Sequence, residues 1–230
     1  MDRSELKIKS ITPAELLGRL LNEVEAKYAP KTLYVSGSIE IPLRGIRVAV
    51  IGTRKPSNEG IEETKKIVEA LVRKDIVIVS GLARGIDTVA HKTAIDSGGK
   101  TIAVLGTPLD RFYPKENRWL QELIMKEHLA ISQFPIGSTI RPKNFVIRNR
   151  TMALISNASI IVEAGETSGV ISQGWETIRL GRLLLINEKM KNLAWVQKMV
   201  EYGAILFSNV GDVIELIEEN CSPLEVVPVF

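Results

Sequence analysis

From residue 47 onward the chain alternates between short, almost wholly apolar runs and longer segments whose apolar positions recur every three or four residues. The apolar runs lie at 48–51, 76–79, 101–105, 129–132, 159–162, 183–186 and 204–207. None shows polar alternation, so each reads as a strand covered on both faces, as parallel strands between two helix layers are. The segments between them, near 59–74, 87–97, 115–128, 144–157, 169–180 and 193–202, have helical spacing, and another near 210–219 precedes the tail. Regular β-α alternation predicts an α/β fold with a doubly wound, mostly parallel sheet. A strand order of 3-2-1-4-5 sets 129–132 beside 48–51, with a ligand crevice beyond their carboxyl ends.

Residues 1–46 read as an extension packed on this main domain, which runs over 47–220 and leaves a tail at 221–230. Thr12-Pro13-Ala14-Glu15 is a helix start, with Thr12 as cap, Pro13 in first position and Glu15 as the capping-box acid. Leu16, Leu17, Leu20, Leu21 and Val24 continue it as one apolar stripe, and 31–35 reads as a strand closed by Ser36-Gly37.

Composition narrows the class. Over 230 residues, 45% hydrophobic and 25% charged content is that of a soluble globular protein with a filled core. A net charge of +3 does not by itself signal nucleic acid, so local clustering has to carry that case. The lone Cys221 excludes an internal disulfide and points to a reducing, cytoplasmic setting. Met1-Asp2-Arg3-Ser4-Glu5 leads into no long apolar run, so neither a secretory signal nor a membrane span is expected. His91, His128 and Cys221 lack metal-ligand spacing, and no metal or cofactor is expected. Trp119, Trp175 and Trp195 fall in helical segments and read as core or dimer residues.

Four loops that follow strands are unusual. Gly52-Thr53-Arg54, before a helix that Ser57 or Asn58 can cap, pairs a tight turn with a cation and suits a phosphate, although it is neither G-x-G-x-x-G nor a Walker loop. Ser80-Gly81-Leu82-Ala83-Arg84-Gly85-Ile86-Asp87 follows the next strand, and His91 lies one helical turn past Asp87, where the two can pair. Without a G-x-S-x-G elbow, Ser80, Asp87 and His91 read as loop support and not as a hydrolytic set. Residues 106–114 look architectural. In Glu163-Ala164-Gly165-Glu166-Thr167-Ser168-Gly169, Ser168 and Gly169 open a helix and offer N–H groups to a phosphate, beside two acids.

The most basic stretch is Asn144-Phe145-Val146-Ile147-Arg148-Asn149-Arg150, with Arg141 and Lys143 just before it. No Asp or Glu occurs between Glu127 and Glu163, so this charge is uncancelled locally. Facing Arg54 across the crevice, these cations and Phe145 suggest a polymeric phosphate ligand with a base on the ring. Helical spacing sends Arg148 and Arg150 in different directions, one to ligand and one to scaffold, without saying which.

These residues resemble the DNA-processing protein A (DprA, Smf) family through its Rossmann-like domain. The matching motifs are Ile51-Gly52-Thr53-Arg54, Ser80 to Asp87 with Ala90-His91, and Thr101 to Gly106 with Tyr113-Pro114. They continue with Phe145 and Arg148-Asn149-Arg150, then Val162-Glu163-Ala164 with Ser168-Gly169 and Gly181-Arg182. The resemblance implies a non-catalytic protein that binds and protects single-stranded DNA, loads a RecA-type recombinase onto it, and forms homodimers. It places DNA contacts on Gly52, Thr53 and Arg54, on Lys143 and Phe145, and on Arg148, Asn149 and Arg150, with Ser168 and Gly169 nearby. Val146 stands where the family commonly has proline, and Val170 to Trp175 replaces a threonine-alanine pattern. The alternative is a related nucleotide-binding or N-glycosidic hydrolase. That class needs a glutamate one turn past its glycine loop, where Ser172 and Gln173 lie here.

Overall fold

The computed structural model describes residues 7–222. One nine-stranded sheet carries the chain, formed by β1 (Lys9–Ile11), β2 (Leu33–Gly37), β3 (Arg47–Ile51), β4 (Val77–Ser80), β5 (Thr101–Leu105), β6 (Leu129–Ser132), β7 (Ala158–Ile161), β8 (Leu183–Asn187) and β9 (Ile205–Phe207). Its order is β1-β2-β6-β5-β4-β3-β7-β8-β9. β3 to β9 pair in parallel, while β2 runs antiparallel to β6 and β1 antiparallel to β2. The doubly wound, mostly parallel α/β class predicted from the apolar runs is the one observed.

The helices are α1 (Pro13–Leu17), α2 (Glu23–Ala26), α3 (Asn58–Arg73), α4 (Ile86–Asp96), α5 (Arg118–Glu127), α6 (Pro142–Ile155), α7 (Val170–Arg179), α8 (Ala194–Glu201) and α9 (Val210–Asn220). Alternate strand residues divide the core between two faces. Val48, Val50 and Ile78 meet Ile67 and Leu71 of α3, Ala90 of α4 and Ile217 of α9, and on the same side Ala103 and Leu105 meet Leu120 and Ile124 of α5. Ala49, Ile51 and Val104 meet Met152 and Ile155 of α6, Val170 of α7 and Val196 of α8. Successive crossovers through α3, α4 and α5 step the sheet one way from β3 to β6. After β6, α6 recrosses to the far side of β3, and α7 and α8 wind the other way.

The predicted strand order is therefore corrected. β6 is bonded to β5 and β2, and β3 lies between β4 and β7. Winding reverses one unit later than a 3-2-1-4-5 sheet requires, so the switch point lies between β3 and β7. The single N-terminal helix is corrected as well. Thr12 caps α1 with a complete capping box, but Gly18 ends it in the left-handed region at φ 67°, and α2 starts afresh behind Asn22. Leu20 is 74% exposed, outside the core to which the apolar stripe assigned it. The segment 115–128 also divides, into a 3-10 turn at Lys115–Asn117 and then α5. Among the described residues no helix is long and apolar enough to cross a membrane.

Candidate nucleic-acid interface

At the β3/β7 switch point, beyond the carboxyl ends of the strands, lies a cleft of about 750 Å³. Its walls come from the β3–α3 loop (Gly52, Thr53, Arg54), the first turns of α6 (Arg141, Phe145), the start of α7 (Ser168, Gly169) and Tyr113.

Hydrogen bonds fix the floor. Thr53 N donates to Glu163 O at 2.7 Å, and Ile86 N donates to Thr53 O at 3.2 Å, so the loops after β3, β4 and β7 hold one another. Ser57 caps α3 by accepting from Gly60 N at 3.0 Å, and its own N–H and hydroxyl donate to the Glu163 carboxylate. Glu163 is thereby engaged at the α3 start. Of the two acids in its loop, only the exposed Glu166 is left beside the cleft.

Asp87 and Arg148 hold the layer beneath. The Asp87 carboxylate accepts from Gly81 N at 3.1 Å and Ala83 N at 3.4 Å, which bends the β4–α4 loop around it. Burial pushes this carboxyl above its ordinary range, while Arg148 and the two amides oppose the shift. Arg148 donates through Nη1 to Gly81 O at 2.7 Å and Val104 O at 2.5 Å, and through Nε to Asn149 Oδ1 at 3.1 Å. A side chain on Gly81 would overlap the guanidinium, so glycine is required for this close approach. Burial lowers the Arg148 pKa, and nearby Asp87 counters it.

Of the two arginines left open by the sequence, Arg148 lines the cleft as a buried group, and Arg150 lies outside its lining. Arg148 is 6% exposed and ties α6 to the ends of β4 and β5. Arg150 points to α7, where it pairs with Glu176 at 3.1 Å and lies 4.8 Å from the Tyr28 ring centroid. Asn149 lines the cleft and donates to Gly169 O at 3.3 Å. Lys143 is exposed on the first turn of α6, outside the cleft wall itself.

The predicted Asp87–His91 pairing does not occur. His91 is fully buried, its Nδ1 lies 2.7 Å from Thr101 Oγ1, and its Nε2 has no partner among the described residues. Ser80 donates to Val50 O at 2.7 Å, and Gly85 takes φ 77° at the entrance to α4. Burial lowers the His91 pKa to about 3. The unfolded chain takes up this proton near 6.5, so the contribution of neutral His91 is complete above 6.5 and is lost as pH falls toward 3. Urea titrations of the parent chain and of His91→Gln across this window should diverge, the parent losing up to about 1.4 kcal/mol more per pH unit. Parallel pH profiles would contradict it.

The loop at 106–114, read as architectural, in fact supplies a wall of the site. Gly106 lies directly against the Phe145 ring, and Tyr113, 46% exposed, meets that ring at 5.1 Å with an interplanar angle of 48°. The signal available in the sequence was an aromatic pair, Phe112-Tyr113, in the loop that follows a parallel strand.

Electrostatically the cleft is suited to anions. Arg54, Lys55, Arg141 and Lys143 are exposed and take part in no ion pair among the described residues. The starts of α6 and α7 both border the cleft, and neither N-cap residue supplies a side-chain cap, although Ser168 Oγ accepts from Val170 N at 3.4 Å, so the positive ends of two helix dipoles border it. The only carboxylate among the lining residues is Asp87, which is already held by amides.

Fold and site together define a Rossmann-like protein with an anion-receiving, aromatic-walled cleft at its topological switch point. The family model described as DNA recombination-mediator protein A matches residues 15–218, and the chain belongs to that family. It is 35% identical over 196 residues to DNA processing protein DprA of Streptococcus pneumoniae, covering 85% of this chain and 61% of that protein. Protein Smf of Synechocystis sp. is 42% identical over 160 residues, covering 66% of this chain and 39% of that protein. The chain thus spans less than two thirds of the length of these curated relatives. The structure of DNA processing protein A from Helicobacter pylori superposes with a TM-score of 0.78 at 25% identity, covering 95% of this chain and 99% of that one.

Proposed function

We propose that the cleft binds single-stranded DNA without altering it covalently, and that the chain acts as a recombination mediator. The observation that carries this reading is the convergence of two helix starts and exposed Arg54 and Arg141 on the Phe145–Tyr113 pair. Phosphates suit the N–H groups and cations, and a base suits the ring faces. The described single-stranded DNA binding mode of the Helicobacter pylori relative supports it. In this reading Gly52, Thr53 and Arg54 receive one phosphate, Ser168 and Gly169 another, and Lys143 draws the strand in from outside the wall. Arg148 and Asn149 hold the pocket in shape, and Arg150 fixes α6 to α7. Transfer of the strand to a RecA-type recombinase, action as a homodimer and a cytoplasmic setting complete the proposal.

Titrating labelled oligothymidylate over a range of salt concentrations tests the binding. Affinity is expected to fall as salt rises, with a log–log slope of about −0.7 per phosphate engaged, and Arg54→Ala should make that slope shallower by about one such unit. Absence of binding at low salt, or affinity indifferent to salt, would sink the reading. Release of a free base from a nucleoside monophosphate would favour the hydrolase alternative.

A further inference from the structure

The cleft is not the only place where aromatic rings and cations meet. Next to it, on the α4/α5 layer, lies a second group that the site leaves unused. Trp119, in the first turn of α5, is 51% exposed, and Lys92 of α4 holds its ammonium 5.6 Å from that ring centroid. One residue earlier, Arg118 lies 4.8 Å from the centroid of Phe112. A tryptophan in a helical segment is ordinarily core, but here the α5 core positions are taken by Leu120 and Ile124, and the indole lies outside.

The group is joined to the cleft along the chain. Tyr113 lines the cleft, and Trp119 follows it by six residues, a reach of at most about 20 Å along the chain. The segment between them is fixed in place. Asn117, buried, donates to Leu82 O at 3.0 Å and Thr88 Oγ1 at 2.8 Å, which clamps the turn against the loop that floors the cleft. Arg84 of that loop pairs with Glu116 of the turn.

The basic residues of this surface, Arg84, Lys92, Arg111, Lys115 and Arg118, outnumber its acids, Asp96, Asp110, Glu116 and Glu122, by one. Glu116 is engaged by Arg84 and Glu122 by Arg118. Lys92, Arg111 and Lys115 have no carboxylate partner among the described residues. Exposed rings beside unpaired cations on a rigid rim suit a strand that alternates π-faces with phosphates better than an apolar protein face.

We propose that this Tyr113–Trp119 rim is a second nucleic-acid subsite, over which a single strand leaving the cleft continues, with a base on Trp119 and a phosphate at Lys92. The inference rests on the reading of the cleft given above and extends it to a length requirement. A strand long enough to fill both places binds more tightly than one that fills the cleft alone.

The test compares oligothymidylates of about five and about twenty nucleotides on the parent chain, Phe145→Ala, Trp119→Ala and Lys92→Gln. Trp119→Ala is expected to weaken the longer strand about tenfold and leave the shorter one unchanged. Lys92→Gln should make the salt slope for the longer strand shallower by about 0.7 and leave that for the shorter strand as it was. Phe145→Ala weakens both. If Trp119→Ala and Lys92→Gln bind both lengths as the parent does while Phe145→Ala fails, the rim is no subsite and the cleft stands. An equal loss on both lengths in Trp119→Ala would also overturn the rim. If Phe145→Ala too is indistinguishable from the parent, the reading of the cleft falls with it.

Discussion

Arg148→Ala is expected to lose about 3–5 kcal/mol of unfolding free energy in a urea titration, the largest single-site effect in the molecule. The guanidinium is 6% exposed, and it satisfies two carbonyls from different strands, Gly81 and Val104, together with the Asn149 side chain. It is also the charge that opposes the burial-driven shift of Asp87. Removing it leaves those acceptors without their donor and the Asp87 carboxyl with its amides alone, and opens a void where Gly81 had made room. Arg148→Lys should recover little, because one ammonium cannot reproduce a planar fork directed at three oxygens. A loss within about 0.5 kcal/mol, the range of an ordinary surface substitution, would show that the buried charge is not structural.

Phe145→Ala carries the largest expected effect on binding. Affinity for oligothymidylate should fall by about 1–3 kcal/mol, the range for one base stacked on a ring. Because Phe145 also packs on Gly106 and Tyr113, a loss of binding has two readings, a lost ring face or a collapsed wall. Phe145→Leu separates the causes: it keeps apolar bulk against Gly106 and removes the π-face. Stacking predicts that the leucine variant binds nearly as poorly as the alanine one, whereas parent-like affinity would make Phe145 a spacer only.

The parallel core strands were legible because an apolar run without alternation has one physical meaning, burial on both faces. Thr101–Leu105 and Leu129–Ser132 have the observed bounds to the residue. The edge was harder to read. Lys9–Ile11 is a strand only because β2 pairs with it, and three residues carry no period of their own. Leu20 and Val24 matched a helical stripe that Gly18 interrupts, so propensity and period disagreed and the break decided. Strand order was misread because each β-α unit leaves its side of the sheet unspecified; reversal after β5 and reversal after β6 are written in the same local pattern.

Within the site, Gly52, Thr53, Arg54, Phe145, Ser168 and Gly169 do meet around one cleft despite that misreading. The reason is that α6, the crossover itself, brings its first turn to the switch point wherever the preceding strand sits. What the sequence hid was burial of charge. Arg47, 1% exposed, and Arg148, 6% exposed, have backbone carbonyls as partners, which every residue has and no sequence pattern marks. Trp119 is the converse, an apolar letter at helical spacing that the fold leaves outside.

The crossover by α6 also bears on how the protein opens. Arg148 bridges acceptors 67 and 44 residues away in the chain, one near each end of the β4–β5 unit. Releasing α6 would break those long-range bonds and expose the Met152 and Ile155 face together. Such an opening approaches global unfolding in its cost, unlike the fraying of a lid. Amides of α6 should accordingly exchange with solvent among the slowest in the molecule. A strand bound in the cleft would then be held by a wall with no cheap way to swing aside, and its departure would be set by its own contacts.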